Sequence, residues 1–318
     1  MYTITRQMPS EPQSPKALSY VLITPAHNEE KQIERLIRSV ISQTVLPIRW
    51  IIVNDASTDA TMKIVQPYLV SHPWMELISM PVVRKRSFSA KVDCFNAGYS
   101  AVRNLDYEIV GNLDADVSFE GDYLEFLLEK FRTNPNLGVA GTPFIEDGGY
   151  DSMTDSFEGE RHVPGGCQLF RRQCFESIGG YHPNAEGGID WIAVTTARMK
   201  GWWTQSFRDK KFHHHRCLGT ANRGSFDAIF QYGKKDYLLG NHPLWELLRA
   251  AYRMTRAPLL SGGLVLFFGY LYVSVKRTKR PISEELLHFH RQEEKDKLRT
   301  IIKIILAGRK LDKYSLGI

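Results

Sequence analysis

Short apolar runs alternating with helical apolar spacing fill the first 141 residues and leave few folds open. Tyr20–Thr24, Arg49–Val53, Met75–Met80, Tyr107–Leu113 and Leu137–Gly141 have the length and apolar content of strands. Between them, Ile33, Leu36, Ile37, Val40 and Ile41 recur at helical spacing. So do Met62, Val65, Tyr68 and Leu69, the segment Ala90–Val102, and Leu124, Leu127, Leu128 and Phe131. Strands alternating with helices of this length predict βαβ units, hence an α/β fold on a mostly parallel sheet flanked by helices. Such sheets bind ligands beyond the carboxyl ends of their strands, so the residues after each run are the first candidates for chemistry.

The run Tyr107–Leu113 ends in Asp114-Ala115-Asp116. Two hard oxygen donors at a sheet edge suit a Mg²⁺ or Mn²⁺ ion that also holds substrate phosphates. The same triplet closes turns and caps helices in many proteins, so its neighbours must decide. No G-x-G-x-x-G follows the first run and no G-x-x-x-x-G-K-[ST] occurs, which argues against a dinucleotide enzyme and a P-loop NTPase. Phosphate charge would then have to be met by a metal. After residue 143 the pattern becomes irregular, with Gly pairs at 148–149, 165–166, 179–180 and 187–188 that suit turns or close approach to a ligand.

Charge divides the chain. Residues 200–318 carry 23 Lys and Arg against 10 Asp and Glu, whereas residues 1–199 carry 18 against 25. An acidic first part fits a cation site, and a basic last part fits an anionic partner. Cys94, Cys167, Cys174 and Cys217 form no C-x-x-C pair, so reduced thiols are expected in place of zinc ligands or disulfides. Met1–Lys16 lacks the apolar core of a signal peptide and reads as a disordered segment within residues 1–18.

Five ordered elements resemble the family-2 glycosyltransferases of GT-A fold. They are Thr24-Pro25-Ala26-His27-Asn28-Glu29, Val53-Asn54-Asp55-Ala56-Ser57-Thr58-Asp59, Asn96-Ala97-Gly98, Leu113-Asp114-Ala115-Asp116, and Asp190 with Gly201 eleven residues on. The resemblance covers Ser19–Gly219, which it implies is a Rossmann-like catalytic domain binding a nucleotide-sugar donor. It further implies that Pro25, Ala26 and Glu29 line the nucleotide pocket and that Asp55 accepts a hydrogen bond from the base. Uracil N3–H suits Asp55, making a UDP-sugar the first expectation, with GDP and dTDP open. Asp114 would face the ribose or the metal's water shell, and Asp116 would bind the Mg²⁺ or Mn²⁺.

An inverting transfer needs a carboxylate to take the acceptor's proton. The resemblance gives that role to Asp190, whose distance to Gly201 fits the family spacing, with Glu186 in reserve; its alternative is a helix cap. By the same resemblance, Gly165-Gly166-Cys167 would form a turn on the acceptor side. Three consecutive histidines, His213-His214-His215, alternate faces on a strand. By resemblance, His213 or His215 is expected at the diphosphate, with His215 the candidate metal ligand.

Residues 220–318 read as a basic helical extension. Within it, 257–275 runs nineteen residues without a charge between basic flanks. Basic residues on both sides oppose a span. A re-entrant or interfacial segment is expected, beside the alternative of a buried core helix. Leu298, Ile301, Ile302 and Ile305 next to Lys295, Arg299 and Lys303 suggest a surface-lying amphipathic helix near the C-terminus. The run 232–245 resembles transferases of bacterial surface polysaccharides and lipid-linked glycans. It implies a glycan or polyprenyl-linked acceptor and a place on the cytoplasmic face of the inner membrane. A nucleic-acid partner is not expected, because the basic residues do not interleave with aromatics in a known motif. A sugar nucleotidyltransferase would need a basic Gly-rich loop where Pro25–Glu29 stands. A non-catalytic nucleotide-binding protein would tolerate loss of Asp116 or Asp190, and both are present.

Overall fold

The computed structural model describes residues 18–81, 88–155, 159–184, 186–216, 225–256 and 258–310. Almost all of the N-terminal segment, Cys217 and Ala257 lie outside the described residues.

Chain order runs β1 (Tyr20–Ala26), α1 (Ile33–Ile41), β2 (Arg49–Asn54), α2 (Thr61–Ser71), β3 (Met75–Ser79), α3 (Phe88–Val102) and β4 (Ile109–Leu113). Then come β5 (Val117–Ser118), α4 (Tyr123–Thr133), β6 (Leu137–Gly141), β7 (Phe144–Glu146), α5 (Ser152–Asp155), β8 (Cys167–Arg171) and α6 (Arg172–Ser177). The chain continues through α7 (Ile189–Met199), β9 (Trp203–Ser206) and β10 (Phe212–His214) into α8 (Ser225–Leu238), α9 (Pro243–Arg253), α10 (Ser261–Val275) and α11 (Glu284–Leu306).

The main sheet has seven strands in the order β3-β2-β1-β4-β8-β6-β9. Every pairing is parallel except the two made by β8, which runs against β4 and β6. β1, β4 and β6 are continuous apolar runs because helices cover both faces of the sheet, leaving no solvated side to alternate with. One core lies under α1 and α4, the other under α3, α6 and α7.

Two features of this topology place the site. The antiparallel register sets Leu113 opposite Cys167, so the Gly165-Gly166 turn arrives beside the Asp pair, and Asp114 N donates to Gly166 O at 2.9 Å. A second sheet, β5-β10-β7, closes over the same edge and sets His214 opposite both Val117 and Glu146.

The C-terminal helices pack back on this body. Arg198 of α7 meets Glu293 of α11 at 2.9 Å with both side chains largely shielded, and Arg161 adds a second contact at 3.6 Å. α10 lies against α8 and α9 through glycine. A Cβ on Gly233 would stand 1.9 Å from the Leu266 carbonyl oxygen, one on Gly269 2.2 Å from that of Phe230, and one on Gly263 2.2 Å from that of Ala250. Backbone thus touches backbone, and no side chain fits between. Gly233→Ala should cost about 1–3 kcal/mol by overpacking, read as a lower urea midpoint; an unchanged midpoint would contradict this contact.

No helix among the described residues is long and apolar enough to cross a membrane. α10 has 15 residues, against about 20 for a span. It is neither a plain core helix nor a free surface one. Gly262, Gly263, Leu266, Tyr270 and Val273 face inward, while Leu264, Phe268, Tyr272 and Val275 stand exposed along the other side.

Candidate active site

Asp55 follows β2, held by its own N–H on the Ala26 carbonyl at 2.8 Å. The adjoining loop is braced from several sides. Asn54 Oδ1 accepts from Ser57 N at 3.1 Å, Asn28 Oδ1 from Thr58 N at 2.8 Å, and Thr61 Oγ1 accepts from Glu29 N at 2.8 Å. Asn28 and Ala56 both take left-handed backbone, with φ of 55° and 50°, a strain that places them at this edge by more than propensity. Within the braced loop Asp55 is buried, and its Oδ1, shielded from water, has no hydrogen-bond partner among the described residues. Such an oxygen is costly unless a ligand supplies the donor.

Pro25 and Ala26 are the last two residues of β1, opposite Val53 and Asn54. Glu29 is buried and accepts from Arg216 Nη2 at 2.5 Å. The Arg216 Nε reaches to 3.5 Å from Asp116 Oδ2, so one guanidinium links the β1–β2 station to the Asp pair.

At the end of β4, Asp114 Oδ1 accepts from Lys91 Nζ at 2.5 Å. Burial alone would lower the Lys91 pKa, but Asp114, then Asp190 and Asp116, outweigh it and the net shift is upward. Asp116 is buried, with Oδ1 3.5 Å from His214 Nε2. The other ring nitrogen, Nδ1, stands 3.6 Å from Glu146 Oε1 and has no hydrogen-bond partner among the described residues. Ligand atoms of Asp114, Asp116 and His214 all lie within 4.8 Å of one another. Two carboxylate oxygens and one imidazole nitrogen make a three-residue donor set that fits Mn²⁺ or Mg²⁺.

His215 does not join that set, which corrects the histidine expected there. Alternation along β10 sends His214 inward and turns His213 and His215 to the opposite face. There His213 Nε2 lies 2.8 Å from Asp147 Oδ1, and the His215 ring nitrogens meet Ser118 Oγ at 2.7 Å and Arg35 Nη1 at 3.0 Å. Burial, then His213 and Arg35, hold the His215 pKa below the usual histidine range.

Asp190 sits in the first turn of α7, entered through Gly188 in left-handed backbone (φ 76°). Its carboxylate rests on the Gly165 turn, where a Cβ would stand 2.9 Å from Oδ2. Gly165 is thereby a requirement of the base candidate's position, and Asn112 Nδ2 fixes the turn by donating to Gly165 O at 2.8 Å. Asp190 accepts no hydrogen bond from a described residue. A cavity of about 960 Å³ brings Asp114, His214, Asp190, Glu146, Lys91 and the exposed Glu186 together. Pro25, Ala26, Glu29 and Asp55 lie outside its lining, at the neighbouring station reached through Arg216. Lys91, Glu146 and Arg216 carried no readable signal: single charges at a helix start, a strand end and a loop resemble solvated residues.

A family model described as glycosyl transferase family 2 matches residues 21–179. The chain belongs to glycosyl transferase family 2. Among curated relatives, this family-2 chain is 30% identical over 139 residues to the poly-beta-1,6-N-acetyl-D-glucosamine synthase of Staphylococcus epidermidis, covering 43% of the chain and 31% of that synthase. It is 31% identical over 118 residues to the chondroitin synthase of Escherichia coli, covering 37% of the chain and 16% of that protein. The match therefore spans a third or less of these relatives. Among solved structures, the mannosyltransferase PcManGT of Pyrobaculum calidifontis, with GDP-Man and Mn²⁺, superposes with TM-score 0.54 at 16% identity, over 98% of this chain and 89% of that one. S. aureus TarS 1-349 with UDP-GlcNAc gives 0.52 at 15% identity, over 92% and 93%. The likeness to these neighbours is one of fold, the GT-A fold described above.

Proposed function

We propose that this family-2 chain is an inverting glycosyltransferase that moves a sugar from a nucleotide-sugar donor, a UDP-sugar first, to a glycan hydroxyl. The observation that carries the reading is the cluster of Asp114, Asp116 and His214, of which Asp114 and His214 line the same cavity as Asp190. Asp55 offers its orphaned Oδ1 to the base, and Pro25, Ala26 and Glu29 border the nucleotide. Asp114, Asp116 and His214 would hold Mn²⁺ or Mg²⁺, which when bound offsets charge building on the departing diphosphate. Lys91 pairs with Asp114 and adds positive charge at the same edge. Asp190 takes the acceptor's proton as the acceptor oxygen bonds to the anomeric carbon; the bond from that carbon to the diphosphate breaks, and its electron pair leaves with the nucleoside diphosphate. The reaction is an in-line displacement, so one carboxylate opposite the leaving group suffices.

Membrane-surface work on a lipid-linked acceptor, in polysaccharide synthesis, is the reading that the C-terminal region supports. The exposed Leu264, Phe268, Tyr272 and Val275 of α10 form an apolar stripe, and Lys276, Arg277, Lys279 and Arg280 follow it directly. Apolar surface beside clustered cations is the form that settles on anionic lipid.

Release of UDP from a panel of UDP-sugars, with Mn²⁺ and lipid-linked or free glycan acceptors, tests the reading. Acceptor-stimulated release from one donor is expected, and none from any donor by folded protein would contradict it. Asp55→Ala should weaken UDP binding by about tenfold to hundredfold, as loss of a hydrogen bond to a charged acceptor does. An unchanged UDP affinity would remove Asp55 from the base pocket.

A further inference from the structure

The cavity does not end at Asp190. It continues between α8 and α9, and its charge reverses on the way: Lys234 and Lys235 line it from α8, and Arg249, Arg253 and Arg256 from α9 and the turn after it. A spacing of four residues puts Arg249 and Arg253 on one face of α9, and Arg256 follows in the turn after it. Asp236 offsets Arg249 at 3.3 Å, and Lys234 donates one bond to Gln231 at 3.0 Å. Arg253 stands apart. It forms no ion pair among the described residues, and its Nη1, shielded from water, has no hydrogen-bond partner there. Packing holds it in place, since its Cζ lies 3.2 Å from where a Cβ on Gly262 would be. Burial, then Arg256, push its pKa down, as for a cation short of a counter-charge.

An immobilised guanidinium without an acceptor is costly by itself and well matched to an anionic ligand. The donor's diphosphate has its own station at the acidic end. Lys235 connects the two ends: its Cε lies 3.2 Å from the Cβ position of Gly188, two residues before Asp190. We propose that Lys235 and Arg253, supported by Lys234 and Arg256, form a subsite for a phosphate or diphosphate group on the acceptor, which sets the acceptor hydroxyl before Asp190. This rests on the transferase reading above. Charge number favours phosphate over a single sugar carboxylate, because the cations beyond the Arg249–Asp236 pair suit a group of two or more negative charges. Leu259, Leu260 and Leu264, exposed just past Arg256, continue the path with apolar surface that a prenyl chain would cover.

The test is calorimetric titration of citronellyl diphosphate, inorganic pyrophosphate and citronellol into the full chain, with EDTA present so that the Asp114–Asp116 station cannot hold them through a metal. Both diphosphates should bind wild type and citronellol should not. Tighter binding of the prenyl form points to a lipid-linked acceptor, and equal binding to a phosphate-bearing polymer. Arg253→Gln and Lys235→Gln should each weaken diphosphate binding by about tenfold or more while UDP–Mn²⁺ affinity stays within about twofold of wild type. The inference is overturned if wild type binds neither diphosphate, if the variants bind as wild type does, or if they lose UDP equally. UDP–Mn²⁺ titration of wild type reports the donor reading separately, so its failure is told apart from failure of the subsite.

Discussion

Asp190→Asn is expected to bind donor normally and to lose transfer by about 10²–10⁴-fold, the usual contribution of a positioned general base. The substitution keeps the size that fits against Gly165, where a Cβ would stand 2.9 Å from the carboxylate oxygen. It removes only the ability to take a proton. Lys91 remains balanced by Asp114 at 2.5 Å, so the cavity's charge changes little elsewhere. Initial rates of UDP release at saturating donor and acceptor, beside UDP affinity, separate the two effects. Glu186 lines the same cavity but is exposed and stands at its rim. Glu186→Gln should therefore change the rate by less than about tenfold, the scale of one exposed contact. A near-normal rate for Asp190→Asn, with a collapse for Glu186→Gln, would move the base to Glu186.

Asp116→Asn should abolish the metal dependence of donor binding. Asp116 is buried between His214 at 3.5 Å and Arg216 at 3.5 Å. Its charge is the part of the donor set that neither partner replaces. Without it, Arg216 keeps only Glu29, and the pocket gains positive charge that repels a divalent cation. UDP affinity should become the same with and without Mn²⁺, and transfer should fall by about 10³-fold or more, several kcal/mol of lost charge stabilisation. His214→Ala should weaken Mn²⁺ dependence less, since an imidazole contributes no net charge. Tight Mn²⁺-dependent UDP binding by Asp116→Asn would take Asp116 out of the metal site.

The early strands were legible because β1, β2, β4 and β6 are buried on both faces, and such strands write themselves as unbroken apolar runs. Strand direction is not written in that pattern, so nothing marked β8 as antiparallel, although its register is what carries Gly165 to Asp114. Alternation of the three histidines was readable, but its phase was not. Phase follows from the pairing of β10 with β5 and β7, strands of two and three residues too short for a periodic signal. Lys91 begins a helix where a lysine ordinarily meets solvent; only the fold turns it onto three carboxylates. In α10 the apolar run left span, interface and core open. Gly263 and Gly269 decide its inner face, but only with Ala250 and Gly233 of the neighbouring helices in view.

The most direct measurement is calorimetric titration of UDP, GDP and dTDP into the full chain, with and without Mn²⁺. A nucleotide-sugar transferase with Asp55 at the base and Asp114, Asp116 and His214 at the metal should bind UDP tightly only when Mn²⁺ is present. Folded protein that binds none of the three nucleotides, or binds UDP equally well without metal, would contradict the account.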